Sequence, residues 1–542
     1  MNKNPFLPRI ISKAGLLALA LLTAPPALVH AADFNWDSTS DGNWSALANW
    51  GVVTWIPGND FPDNIDTVTL GQGGWLPFSG EEAQTRTITI GAGEAYTLAS
   101  LTFSDGASNS PQNYYIGGTG KLIFDSGGSA PATLSIGQIS RRQTPPPILS
   151  GPNHEIAVDI EIHGALEITA PGQGNPRNPI LSGSITGNGS DPVMLSIKGG
   201  GNVATLELSS TANDFNGGEV NLMNAAGLLI NDQSLKGATL RFSGTDSVTN
   251  KRVVISASNS VAVNFTRMIV ESNGTIETSG FATSSIVDWR STEVAAGKTL
   301  EITRGNSVTW RLNGANQTLS LGAGALVTVN QTQVNRYLRA SLENGALLEG
   351  NGTVTTRGSG AAYVHRFQIG DGGIADPGLG EGAIGTLTFG SAEHNGSNIL
   401  FMEGSILRMQ LNGLSAGAEH DQLIVAAGNF TLEETGSGVT LSLSVNYRYL
   451  PGDTLTLLNV AGTGAEPGAS FTGAFAGLEE GALVNMGLWG GNPATARISY
   501  LGGDGNDVIL YNFSVIPEPG TWALLGLGGF AALLLRRRKA RA

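Results

Sequence analysis

From Thr67 to Phe389 apolar and polar residues alternate in short stretches, each bounded by Gly, Asn or Asp. Alternation with period two predicts strands that bury one face. The clearest are Thr67–Leu70, Thr85–Ile90, Lys121–Phe124, Val193–Ile197, Ala238–Phe242, Thr299–Thr303, Gln317–Leu321 and Ala325–Val329. A Gly-Ala-Leu unit recurs at Gly164, Gly324 and Gly345, with a looser copy at Gly297. The steps from Gly297 to Gly324 and from there to Gly345 are 27 and 21 residues. A period in the twenties suits one solenoid coil of two or three strands, with glycine in the turn and the next apolar residue pointing inward. After Asn398 the strands lengthen, notably at Ser405–Leu411, Val439–Val445 and Thr454–Val460. That predicts a terminal β domain or a set of wider coils. The Pro-rich stretch Arg141–Pro152 cannot pair within a ladder and reads as a protruding loop.

The two ends follow different patterns. Lys3, Arg9 and Lys13 precede an apolar run, Ala14–Leu22, and Val29-His30-Ala31 closes it. This is the order of an export signal, with cleavage by a signal peptidase expected after Ala31. The C-terminus reads Pro517-Glu518-Pro519, then an uncharged run to Leu535, then Arg536, Arg537, Arg538, Lys539 and Arg541. The prolines favour an extended segment at a membrane surface. The apolar run is read as one C-terminal transmembrane helix, and the cations as its stop-transfer cluster. Its 15 residues from Thr521 to Leu535 reach only about 22 Å, against a hydrocarbon core of about 30 Å. Trp522 at one interface and snorkelling arginines at the other ease that mismatch. Such a fit suits a cleavable tail, with a permanent anchor as the alternative.

Charge and composition narrow the function. Eight of the 30 basic residues lie in the two terminal segments, whereas 43 of the 44 acidic residues lie between Ala32 and Ile516. The exported body therefore carries a net charge of −21. It will not bind nucleic acid by charge. Cysteine is absent, which excludes disulfides, thiolate metal sites and a cysteine nucleophile. The 76 glycines and the scarcity of helix formers between the termini set the class as all-β.

Several motifs carry resemblances. The tripartite tail resembles the PEP-CTERM sorting signal of Gram-negative bacteria. The resemblance implies processing by an exosortase-type membrane protease, a transient stay in the inner membrane, then delivery to the cell surface or the exterior. It also implies an association with exopolysaccharide and biofilm. Leu206–Ile230 resembles the autotransporter-associated (passenger-associated) β-strand repeat, through Thr211, Asn213, Phe215, Gly217, Gly218, Ala226, Gly227 and Leu228. Glu219 and Met223 depart from that pattern. The resemblance implies a right-handed parallel β-helix, or β-solenoid. A string of β-sandwiches is the alternative. Gly370–Phe389 resembles the passage that ends the helix in many such proteins. Trp36, Trp44, Trp50 and Trp55 fall in a segment similar to the mature N-terminus of exported proteins of these kinds. They are read as closing the first coil, against a sugar-stacking role.

The division expected is 1–31 signal peptide, 32–66 Trp-rich N-terminal cap, 67–390 solenoid, 391–514 C-terminal β cap domain and 515–542 sorting signal. No catalytic or metal site and no cofactor is expected. Asp60, Asp63 and Asp66 read as turn formers and a strand entry, and His154, His163, His365, His394 and His420 are too scattered to bind a metal. Asp421 is read as a turn cap. Asp33, Asn35 and Asp37 open like a calcium loop, but Ser38 stands at the glycine position and Trp44 at that of the glutamate. Gly502–Ile509 matches a single copy of a calcium-roll nonapeptide, and also a hairpin turn. Self-transport is disfavoured, because no run of amphipathic barrel strands follows the passenger-like region. The function expected is a structural or adhesive surface protein. The alternative is a polysaccharide lyase or glycosidase on a β-helix, which requires two carboxylates facing one groove.

Overall fold

The computed structural model describes residues 33–36, 41–46, 49–52, 64–70, 84–104, 112–137, 154–170, 178–246, 251–282, 284–303, 308–331, 338–358, 366–391, 398–461, 469–515 and 519–539. The signal peptide, the Pro-rich stretch 141–152, Trp55, Asp60, Asp63, His365, His394, Pro517 and Glu518 lie outside them. Among the described residues the chain is nearly all β, with a single helix at Pro519–Lys539.

Short strands pair in parallel with strands one coil away, so identical faces stack. One ladder places Leu134, Ile168, Ile197, Leu222, Phe242, Val270, Val294 and Leu321 in successive register. A second stacks Ile88, Ile116, Ile156, Leu181, Leu208, Ile230 and Ile255. A separate eight-stranded sheet stacks Val287, Trp310, Ala340, Phe367, Ile399, Phe430 and Phe471. All these side chains are buried, except Phe471, which is partly buried. The cause is the period-two pattern: with rungs about 4.8 Å apart, each inward Leu, Ile or Phe contacts its counterparts above and below. Each such burial contributes about 1.5–3 kcal/mol. Parallel pairing between coils excludes the string of antiparallel sandwiches.

The coil length is not constant. Val253, Ile276, Ile302, Val329 and Thr356 follow one another in register at steps of 23, 26, 27 and 27 residues. Val354, Phe389, Val425 and Val460 follow at 35, 36 and 35. The parallel ladders therefore cross Gly370–Phe389 without interruption, and that passage does not end the stack. The 27-residue step from Gly297 to Gly324 is one coil, since Thr299 pairs with Leu326. The 21-residue step to Gly345 is not, because Leu347 stacks on Thr318 and Ile374 instead. All four glycines of the recurring unit have positive φ (Gly164 80°, Gly297 67°, Gly324 68°, Gly345 88°), which explains why the unit begins with glycine. The next residue points inward at Ala325 and Ala346; after Gly164 it is Leu166 that does so.

The two ends are closed differently. At the first, Trp36, Trp44 and Trp50 are buried, and Trp50 meets the other two edge-on at 4.9 Å between ring centroids. At the last, Thr454–Val460 pairs antiparallel with Asp507–Val515, which pairs with Asn492–Gly502, which pairs with Leu483–Trp489. This meander covers one of the ladders.

Candidate functional site

The tail begins where the meander ends. Three residues separate Val515, the last of its strand, from Pro519, the first of the helix. Pro519 thus opens the helix rather than extending a stretched tripeptide, because proline's missing N–H and fixed φ suit the first helical position. Arg536, Arg537, Arg538 and Lys539 occupy the last turn, where they complement the helix dipole. Leu525, Leu527, Phe530, Leu533 and Leu534 are all exposed. Among the described residues no helix is long and apolar enough to cross a membrane, so the transmembrane helix expected from the sequence is unsupported. The reason lies in composition: Gly520, Gly526, Gly528 and Gly529 dilute the apolar run, and the arginines cut it short.

The segment Leu206–Ile230 shows why its residues recur as a pattern. Asn213 is fully buried in a turn. Its Oδ1 accepts from the Ile185 amide at 2.8 Å, and its Nδ2 donates to the Ser234 carbonyl at 2.8 Å. One amide side chain therefore ties a coil to both neighbours. Phe215 is buried beside it. Gly217 has φ 78°, and a Cβ on Gly218 would lie 2.0 Å from the Val193 carbonyl oxygen. Ala226 and Leu228 are buried and Gly227 lies in the same strand, while Thr211 is exposed. Glu219 pairs with Arg241 at 2.8 Å, and Arg241 reaches Glu271 at 2.6 Å. These motif residues hold coils together, and they converge on no cleft.

Asp421, expected to cap a turn, does more. It is fully buried, and its two oxygens accept from the amides of Gly385 at 2.8 Å and Gln410 at 2.6 Å. Burial pushes its carboxyl up to about 7 despite those donors. Neighbouring His420 is held below the usual imidazole range, first by burial. Asp376, near Arg408 at 3.2 Å, is likewise raised by burial.

The other candidates resolve into structural roles. His154 accepts from the Tyr114 amide and stacks on that ring, and His163 lies between Glu161 at 2.7 Å and Asp125 at 3.3 Å. Asp66 is buried in the strand Asn64–Leu70. Asp33 is exposed at the start of the first strand, with Asn35 beside it. Gly502–Asp507 is a hairpin turn, and Asp507 Oδ1 accepts from the Val460 amide at 2.8 Å. Among the described residues no group of three or more His, Asp or Glu is placed to hold a metal ion. The buried tryptophans Trp36 and Trp44 offer no ring face to a sugar.

Sequence reading missed one pair of carboxylates. Glu155 and Glu207 point outward on one face, on either side of Ile180, in register across two rungs. Burial, then the charge of Glu155, raises Glu207, and Ser182 Oγ donates to Glu155 at 2.5 Å. No motif marks the pair; only the coil register brings residues so far apart in sequence together.

Comparison with known proteins adds one match. Residues 515–539 fit the model of the PEP-CTERM protein-sorting motif. The chain thus carries the signal of an exported protein that an exosortase processes and sorts to the cell surface. No curated protein matches the chain.

Proposed function

We propose that the chain is a surface or matrix β-solenoid with a structural or adhesive role, exported from a Gram-negative bacterium and held transiently in the inner membrane by its tail. The observation that carries this reading is the junction at Val515: a closed stack of coils followed, three residues later, by a helix on which Leu525, Leu527, Phe530, Leu533 and Leu534 are exposed. A body with a paired last strand needs no such helix for its fold. The helix, short for a bilayer, serves while a membrane protease cuts at Pro517-Glu518-Pro519. The stack itself is read as a right-handed parallel β-helix, with Leu206–Ile230 as a single passenger-associated repeat. An association with exopolysaccharide in a biofilm is what the resemblance of the tail to PEP-CTERM signals implies. Intact mass of the released protein tests the reading. Processing leaves a C-terminus near Pro517, and a mass running through Ala542 overturns it.

A polysaccharide-degrading enzyme is the second reading, favoured by Glu155 and Glu207. Two rungs amount to roughly 9–10 Å, near the upper end of the carboxylate separations used by inverting glycosidases. Release of reducing ends from an acidic or neutral exopolysaccharide, abolished in Glu207→Gln, is the result that would establish it.

A further inference from the structure

The C-terminal meander presents exposed leucines at both of its ends. At one, its hairpin turns at Gly503–Asn506. There Asp504 lies in the turn, Glu480 accepts from the Tyr500 amide, and Leu483 and Leu501 are exposed. The tail leaves from the other end. There Val515 pairs with Ala494, two residues past the Trp489–Asn492 turn, and Tyr511 pairs with Thr454, just after the turn at Leu450–Asp453. The tail origin is therefore flanked on both sides by turns. A bare leucine stands at each turn: Leu450, in the turn that Asp453 closes, is 61% exposed, and Leu488, just before the other turn, is 70% exposed. Beneath them Tyr449 stacks on Phe513 at 4.7 Å and meets Trp489 at 6.0 Å. Tyr447 packs edge-on against Tyr449 at 4.9 Å and is itself exposed, as is Arg448.

We infer that this end of the meander is a membrane-contact surface that rests on the lipid interface while the tail is inserted. The argument rests on the proposed insertion of the tail and on distance. Four Cα steps join Val515 to Pro519, a span of at most about 14 Å. A helix entering a bilayer brings the chain just before it to the headgroup layer, so Leu450 and Leu488 are brought there too. Tyr and Trp rings with exposed leucines and a cation are the side chains that such an interface accepts. An acidic body needs such a contact patch, because its net charge opposes approach to anionic lipid. The contact would hold Pro517-Glu518-Pro519 at one height above the bilayer, which is what a membrane-embedded protease requires of its substrate.

The chain has no cysteine, so single labels can be placed cleanly. The full chain is reconstituted into phosphatidylethanolamine–phosphatidylglycerol vesicles as Leu488→Cys, Leu450→Cys, Leu501→Cys or Leu527→Cys, each carrying an environment-sensitive fluorophore. Leu501, 69% exposed beside the polar turn, is the control for a bare leucine. Leu527 reports insertion of the tail. The inference expects a blue shift at positions 450 and 488 and loss of intensity to headgroup-depth nitroxide lipid, with neither at 501. Equal responses at 488 and 501, with Leu527 quenched by acyl-chain nitroxide, overturn the contact surface and leave the inserted tail intact. No quenching at 527 overturns the insertion and the contact surface with it.

Discussion

The first and last coils face one problem, an open core, and answer it by different chemistry. The N-terminal end is closed by three indoles packed edge to face, with Trp50 Nε1 donating to the Trp44 carbonyl at 2.6 Å. The C-terminal end is closed by backbone, as a ladder turns antiparallel and folds over itself. Large aromatic area closes an end with few residues. A meander takes more chain, but it pairs the last strand of one ladder and fixes where the chain leaves. The end that must hand a tail to another protein is the one closed by hydrogen bonds.

This contrast can be broken first at the indoles. Trp44→Ala should cost about 3–5 kcal/mol. Because a solenoid is held by nearest-neighbour contacts, hydrogen exchange should accelerate in the first coils and stay slow around Asp507–Val515. Phe513→Ala should cost a similar amount and show the reverse map. Uniform acceleration in both variants would mean that the ends are coupled and the contrast is false. Asn213→Ala tests the middle of the stack. It leaves the Ile185 amide and the Ser234 carbonyl without their partner, at about 1–3 kcal/mol for each buried group. Chemical denaturation measures it, and a loss under about 0.5 kcal/mol, the level of an ordinary surface change, would remove the inter-coil tie.

Asp421 sharpens the comparison through pH. Its folded-state carboxyl lies near 7, above the ordinary 3.8, so the folded state binds the proton more tightly than the unfolded one. Its contribution is fully present below about pH 4 and is lost as pH rises through 7. Thermal melts of wild type should therefore show a Tm that declines across this range, with a shallower decline in Asp421→Asn. Parallel profiles would show that the carboxyl titrates normally. The smallest effect belongs to the surface: Arg241→Ala should cost about 1 kcal/mol or less, because the pair it makes is only partly shielded from water.

Much of the fold was legible in the chain, and the reason is local. Period-two alternation and turn glycines with positive φ are properties of a few adjacent residues, so the strands and the coil step at Gly297–Gly324 could be read directly. The step to Gly345 misled because the same turn chemistry serves different faces of one coil. Beyond Phe389 the longer strands allowed either a separate domain or wider coils, and the structure shows wider coils. Longer coils alter the spacing but leave each strand's pattern unchanged. The sorting tail was legible because its three parts are contiguous. Glu155 with Glu207, and Asp421 with Gly385 and Gln410, depend on register between coils, which no local pattern encodes. The helix was read as transmembrane from the order of its parts, an order that outweighs hydropathy only if a protease recognises it.

The placement of the tail also has a mechanical consequence. The strand Asp507–Val515 is hydrogen-bonded along both edges, to Thr454–Val460 and to Asn492–Gly502. In the proposed tethered state, drag on the body is transmitted through this strand. A pull along the strand axis loads both ladders in shear, so many bonds must yield together; a strand joined at one edge and pulled sideways would unzip bond by bond. The body can therefore bear tension at the point where its last strand leaves the sheet.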